Sequence, residues 1–174
     1  MFARNGIDGI IYFEETSEDS VNLITFSAQG ATIESDQLYG IENVVGTPQG
    51  DRLIADERDN GLFGMNGGDV INGLGGNDLI NGGPGGDILS GGARDDLFKF
   101  DIGFGADVIT DLDQLGDDVI QINGFGGFFD FADLALTVIN GDDVLVEGSG
   151  WSGRILLENA AGLVDENDFV FTLF

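Results

Sequence analysis

Between Gly46 and Lys99 an apolar residue returns at every ninth position, as Leu53, Leu62, Ile71, Ile80, Leu89 and Phe98. Two places before each stands a short polar side chain: Asp51, Asn60, Asp69, Asp78, Asp87 and Asp96. Cut at nine residues from Gly46, the chain reads GTPQGDRLI, ADERDNGLF, GMNGGDVIN, GLGGNDLIN, GGPGGDILS and GGARDDLFK, six units without a gap. Each unit predicts a turn of six residues rich in glycine, followed by a three-residue strand. Glycine permits positive φ and lets backbone carbonyls face inward, while the strand sends its central residue to one face and its neighbours to the other.

Two such units make one coil of a parallel β-helix, so residues 18 apart lie above one another at the strand spacing of roughly 4.8 Å. Alternate units then form opposite walls. Asp51, Asp69 and Asp87 fall in one polar column, and Asn60, Asp78 and Asp96 in the other. Stacked carboxylates repel unless a cation lies between them, and Ca²⁺ takes six to eight oxygens at about 2.3–2.6 Å, a set that paired Asp and turn carbonyls can supply. Asp is also a good turn former, and that alone would place it here.

The flanks carry weaker patterns. Alternation in Val21–Phe26 predicts a strand laid on the first coil. Beyond Lys99, IGFGADVIT and DQLGDDVIQ keep Asp107 and Asp118 ahead of Ile109 and Ile120, which predicts two degenerate coil segments. Phe125–Leu136 predicts a short helical stretch. Thr137–Ile139, Asp143–Glu147 and Arg154–Leu157 predict strands that wrap the open edge, with Trp151 either packed in the cap or presented as a platform for a sugar. The division expected is therefore a capping segment over 1–45, six repeats over 46–99, a closing segment over 100–124 and a second cap over 125–174, all in one structural domain.

Composition narrows the chemistry. The 174 residues hold 6 basic and 32 acidic side chains, a net charge of −26, which repels nucleic acid and anionic lipid. Such crowding calls either for a solvated acidic surface of the halophile kind or for multivalent cations that prefer oxygen. The sequence has no Cys and no His, which removes disulfides, thiolate metal sites and the commonest general base. No run of apolar residues is long enough to cross a bilayer, and Met1–Ile10 lacks the basic start and apolar stretch of a cleavable signal.

The units match the glycine-rich G-G-x-G-x-D-x-U-x pattern and resemble the RTX (repeats-in-toxin) β-roll of serralysin-type proteases, haemolysins, secreted lipases and the R-modules of mannuronan C5-epimerases. The resemblance implies an all-β fold: a right-handed parallel β-roll with β-rich caps at both ends, binding several Ca²⁺ ions. It implies as ligands the carboxylates of Asp69, Asp87, Asp78 and Asp96, with backbone oxygens from Gly64, Gly67, Gly73, Gly75, Gly76, Gly82, Gly83 and Gly85. Asp51 is a further candidate whose turn holds Pro48 and Gln49, and Asn60 is one that lacks the carboxylate. Arg58 and Arg94 stand where the pattern has glycine, so those turns are expected to be strained or vacant. Asp107-Val-Ile-Thr-Asp111-Leu, followed by Gly116-Asp-Asp-Val-Ile, resembles the segment that closes such rolls, which adds Asp107 and Asp111 as ligands of a last site. Leu38–Thr47 resembles the lead-in to many rolls. Glu166–Phe174, acidic and then apolar, resembles the uncleaved C-terminal signal of type I secretion through an ABC transporter, and implies a secreted, extracellular protein.

Other readings weigh less. The segment from Asp111 begins like an EF-hand loop, but Leu115 and Ile122 occupy ligand positions. The run Gly73–Gly76 is followed by no Lys-Ser/Thr, so no nucleotide site is implied. Carboxylates that recur at a structural period are poor general acids and bases, and no nucleophile constellation is present, so no catalytic role is expected. A polysaccharide- or partner-binding module remains the rival function. Its motive is the outward row Val70, Leu79, Ile88 and Leu97, although only Arg52, Arg58, Arg94 and Lys99 in the roll could meet an anionic polymer.

Overall fold

The computed structural model describes residues 41–112, 117–124 and 130–172, together with the backbone of four short strands nearer the N-terminus. Those four are β1 (Gly9–Ile11), β2 (Ser20–Asn22), β3 (Ser27–Gln29) and β4 (Asp36–Gln37). The repeats supply β5 (Asn43–Val45), β6 (Arg52–Ile54), β7 (Gly61–Phe63), β8 (Val70–Asn72), β9 (Leu79–Asn81), β10 (Ile88–Ser90) and β11 (Leu97–Phe100). Then follow β12 (Ala106–Ile109), β13 (Val119–Asn123), β14 (Leu134–Ile139), β15 (Asp143–Gly148), β16 (Arg154–Leu157) and β17 (Phe169–Thr172).

Odd and even strands of the repeat region part into two walls. One sheet has seven parallel strands in the order β1-β5-β7-β9-β11-β13-β17. The other has ten, β14-β15-β16-β12-β10-β8-β6-β2-β3-β4, parallel from β16 to β2 and antiparallel at both ends. Register follows the repeat: Leu53 pairs with Ile71 and Ile71 with Leu89 on one wall, Leu62 with Ile80 and Ile80 with Phe98 on the other. This is a β-solenoid of about four coils.

The core is the inward file of strand-centre residues. Leu53, Leu62, Ile71, Ile80, Leu89 and Phe98 are each at most 1 % exposed, and Val44, Ile109, Ile120, Ile155 and Leu157 continue the same cluster. At about 1.5–3 kcal/mol for each buried aliphatic or aromatic side chain, this file is the chief attraction between the walls. Its opposing cost is the ordering of the glycine-rich turns.

The degenerate segments do extend the stack, with β12 on β10 and β13 on β11. Their units are longer, so Asp107 follows Asp87 by 20 residues and Asp118 follows Asp96 by 22. The expected strand at Val21–Phe26 is present as β2 through Asn22, laid parallel on β6, and residues 23–26 lie outside the described ones. The short helical stretch expected within Phe125–Leu136 is present as one 3-10 turn, and of its described residues only the last three are strand. Residues 125–129 lie outside the description, Phe131–Asp133 form one 3-10 turn capped by Asp130, and Leu134–Leu136 already belong to β14. Six residues pairing with β15 outweigh continuation of a helix that has no buried face.

At the C-terminal end, β16 covers β12, and β15 and β14 follow as an antiparallel meander. Trp151 packs edge-on against Phe104 at 5.2 Å, and Phe104 against Phe100 at 5.1 Å, which places it in the cap. β17 closes the other wall on β13, with Phe169 against Phe131 at 5.5 Å.

Candidate metal centre

The sixth residue of each unit sits at the end of a turn, just before its strand, and there the two columns form. Asp51, Asp69, Asp78, Asp87, Asp96, Asp107 and Asp118 are none of them more than 3 % exposed. One oxygen of each later carboxylate is held by the rung before it. Asp51 N–H donates to Asp69 Oδ1 at 2.7 Å, Asp69 N–H to Asp87 Oδ1 at 2.9 Å and Asp87 N–H to Asp107 Oδ1 at 3.0 Å. In the second column Asn60 N–H donates to Asp78 Oδ1 at 2.7 Å, Asp78 N–H to Asp96 Oδ1 at 2.8 Å and Asp96 N–H to Asp118 Oδ1 at 2.9 Å. The repeat of 18 thus fixes side-chain geometry as well as strand pairing.

The second oxygen is the informative one. Oδ2 of Asp69, Asp78, Asp87, Asp96 and Asp107 is buried and accepts no hydrogen bond. A buried carboxylate oxygen without a donor is costly, and these five fall three in one column and two in the other. Four of them lie beside the bare α-carbon of their own turn's first glycine: a methyl group on Gly64, Gly73, Gly82 or Gly91 would overlap the Oδ2 of Asp69, Asp78, Asp87 or Asp96 respectively. The same added methyl on Gly64 would lie 2.7 Å from the Gly82 carbonyl oxygen, and on Gly73 2.5 Å from that of Gly91. Beside Gly64 and Gly73, therefore, oxygens from two successive rungs converge.

Burial pushes the Asp78 carboxyl up to about 8, against the Asn60 N–H that lowers it and with Asp96 raising it further. Burial likewise takes Asp69 to about 7, opposed by the Asp51 N–H and reinforced by the charges of Asp87 and Asp51. Asp107 reaches about 7, and Asp87 and Asp96 about 6, each by burial first. A cation held through these oxygens would favour the ionised form and lower all five.

Among the described residues no three carboxylates converge on one point. An ion would therefore draw on turn carbonyls beside each Asp, and a donor set made only of oxygen suits calcium. Gly64, Gly73 and Gly82 sit at the first position of their turns, Gly83 at the second, Gly75 at the third, and Gly67, Gly76 and Gly85 at the fourth. The Gly85 carbonyl already accepts the Ala106 N–H at 3.2 Å. Left-handed backbone occurs at Gly67, Gly76 and Gly83, and also at Met65 (φ 81°), Leu74 (φ 73°) and Arg94 (φ 89°), where a side chain makes it unfavourable. Arg94 accordingly shows the strain expected of it, whereas Arg58 adopts ordinary φ and donates its N–H to Asp56 Oδ1 at 2.9 Å.

The remaining candidates are engaged inside the protein. Asp51 Oδ2 accepts the Thr47 N–H at 2.6 Å, and the Thr47 hydroxyl lies 3.1 Å and 3.2 Å from the two carboxylate oxygens. Asn60 accepts Asp56 N–H at 3.3 Å and donates through Nδ2 to the carbonyls of Ile41 and Glu42 at 3.4 Å each. Asp111 caps a turn: its oxygens accept Ser90 Oγ at 2.6 Å and the N–H groups of Gly91 and Gly92 at 3.0 Å each. Gly91 joins the cradle although sequence reasoning passed it over. Its place at the head of the sixth unit was the available signal, and Asp118, in step before Ile120, extends the second column in the same way.

The fold and these columns define the class as a β-solenoid consistent with an RTX β-roll module. The solved structures it resembles include two subunits of a mannuronan C5-epimerase from Azotobacter vinelandii. The AlgE6R3 subunit is 28 % identical with a TM-score of 0.58, covering 71 % of this chain and 79 % of that one. The AlgE6R2 subunit is 25 % identical with a TM-score of 0.52, covering 74 % and 92 %. The extracellular lipase LipA of Serratia marcescens shares the fold at 22 % identity and a TM-score of 0.58, with 84 % of this chain matching 24 % of the lipase. No family model and no curated protein sequence matches this chain.

Proposed function

We propose that this chain is a calcium-binding β-roll whose repeats fold as the ion binds, and that it serves the export and stability of a secreted protein. The observation that carries the reading is the row of five buried, unpartnered Oδ2 atoms at Asp69, Asp78, Asp87, Asp96 and Asp107. Asp69, Asp87 and Asp107 would serve one column of ions, Asp78 and Asp96 the other, completed by turn carbonyls from the glycines of both rungs. Calcium supplies positive charge between rungs that otherwise repel. The chain's own residues do the rest: the strand centres hold the walls together, and the N–H of each rung aims the carboxylate of the next.

Coupling to folding follows from the balance of terms. Without the ion, ordering the glycine-rich turns and burying like charges both oppose the roll. With it, each decade of free calcium above Kd adds about 1.4 kcal/mol per site. Extracellular modules bind Ca²⁺ at about 10⁻⁴–10⁻³ M, so the chain would stay unfolded at cytosolic calcium and fold outside. The acidic and then apolar run Glu166–Phe174 resembles a type I secretion signal and supports export by that route, and within it Phe169–Thr172 forms the strand that pairs with β13. Far-ultraviolet circular dichroism at pH 8, in chelator and in millimolar calcium, tests the proposal, and equal strand content in the two would refute it.

Likeness to subunits of an enzyme named for mannuronan favours a second role, that of a polysaccharide-binding module. Ile88 is the exposed member of the outward row, 47 % accessible, while Val70, Leu79 and Leu97 are half-buried. The net charge of −26 weighs against an anionic polymer. Calorimetric titration with neutral and uronate polymers in calcium separates these cases, and flat titrations with both would remove the role.

A further inference from the structure

We infer that the first coil of the roll, formed by the turns at 46–51 and 55–60, takes no cation, and that Thr47, Asp56 and Asn60 close it with hydrogen bonds. This rests on the calcium reading above and adds to it where the ladder of ions begins.

The backbone separates the turns into two kinds. At the second position of the four later turns, Met65, Leu74, Gly83 and Gly92 all have left-handed φ, from 73° to 104°. Thr47 and Asp56, at the same position in the first two turns, do not. The difference sets where the second peptide N–H points. In the first turn it meets Asp51 Oδ2 at 2.6 Å, and in the second it meets Asn60 Oδ1 at 3.3 Å. In the later turns the corresponding Oδ2 of Asp69, Asp78, Asp87 and Asp96 meets no donor.

An N–H aimed at a carboxylate oxygen presents the positive end of a dipole where a cation would have to approach. To admit the ion, the second peptide must turn over into left-handed backbone. For Thr47 that is a severe obstacle, because a β-branched residue at positive φ is a genuine steric outlier. Its hydroxyl, buried with the rest of the residue, adds a second donor to the same carboxylate. For Asp56 the obstacle is its own turn, since its carboxylate accepts the Arg58 N–H at 2.9 Å and the Arg58 guanidinium at 3.0 Å. Asn60 completes the closure. Its Nδ2 reaches the carbonyls of Ile41 and Glu42, so the amide is held by the chain's own oxygens and brings a donor, where later rungs have a second carboxylate oxygen.

The first coil is then orderable without metal and offers a fixed edge on which the cation-dependent coils stack. Calcium stoichiometry of the full chain, measured with calcium chloride by native mass spectrometry and calorimetry, decides the matter. Asp51→Asn should leave the ion count of the wild type unchanged, while Asp69→Asn and Asp78→Asn should each lower it. Thr47→Gly, which permits left-handed φ and removes the hydroxyl, should raise the count by one ion. The double change Asp56→Gly with Asn60→Asp should do the same. Loss of an ion in Asp51→Asn, or no gain in both engineered turns, would overturn the inference while leaving the calcium reading intact. A wild-type chain that takes up no calcium would instead refute the calcium reading itself, and this inference with it.

Discussion

In the absence of calcium, stability should fall as the pH rises from about 5 to about 8, the opposite of an ordinary acidic protein. Five buried carboxyls have folded values of about 6 to 8 against an ordinary 3.8. Between those limits the folded chain holds more protons than the unfolded one, so each step up in pH works against folding. The contribution is fully present below about pH 4, where both states are protonated, and is lost as the pH passes the folded values. A tenfold difference in acidity between the folded and unfolded states is worth about 1.4 kcal/mol, so Asp87 or Asp96, the least perturbed, opposes folding by on the order of 3 kcal/mol at pH 8. They titrate as coupled columns rather than singly. Their combined effect is comparable with the roughly 5–15 kcal/mol by which domains are stable. The metal-free protein should therefore keep strand content near pH 5 and lose it near pH 8. With millimolar calcium the trend reverses, because the ion requires the ionised form and acid displaces it. Melting temperatures by circular dichroism, measured from pH 5 to 8 in chelator and in calcium, give the comparison. A metal-free melting temperature that climbs with pH would refute the electrostatic account of the columns.

Further outcomes follow from single positions. Asp78→Asn should change sign with conditions: in chelator at pH 8 it removes a buried charge and stabilises by about 1–3 kcal/mol, while in calcium it weakens binding and lowers the melting temperature. Loss of stability in both would count against a cation at that rung. Ile80→Ala, at a wholly buried strand centre, should cost about 2–5 kcal/mol in calcium by denaturant melts, with the ion count unaltered in the folded fraction. Gly85→Ala would drive a methyl into the Gly67 carbonyl, and should abolish cooperative calcium-induced folding in a titration followed by circular dichroism. Trp151→Ala should lower the melting temperature through its lost contact with Phe104, at about 2–4 kcal/mol, without changing calcium stoichiometry.

Much of this architecture was legible in the amino-acid order, for a physical reason. A repeat of nine residues places turn, carboxylate and strand centre at set offsets, and stacking like on like leaves one pairing that buries Leu53, Leu62, Ile71, Ile80, Leu89 and Phe98 together. Sheet membership, register and the two acidic columns all descend from that period. The ends were less legible, because the strands that cap a solenoid have no period to betray them. Leu134–Leu136 carried a helical expectation and became the start of an edge strand through pairing with β15, a contact remote from any local preference.

What the chain's order could not reveal is which oxygens the protein satisfies by itself. Asp51 and Asp69 occupy equivalent places in the repeat, yet one carboxylate is closed by Thr47 and the other keeps a bare oxygen beside Gly64. Asp111, a ligand by its motif, has its oxygens turned to Ser90, Gly91 and Gly92 as a cap. Periodicity dictates where a side chain stands along the stack. Whether its second oxygen meets an N–H goes with the φ of the residue four places earlier, and only the packed coil decides that.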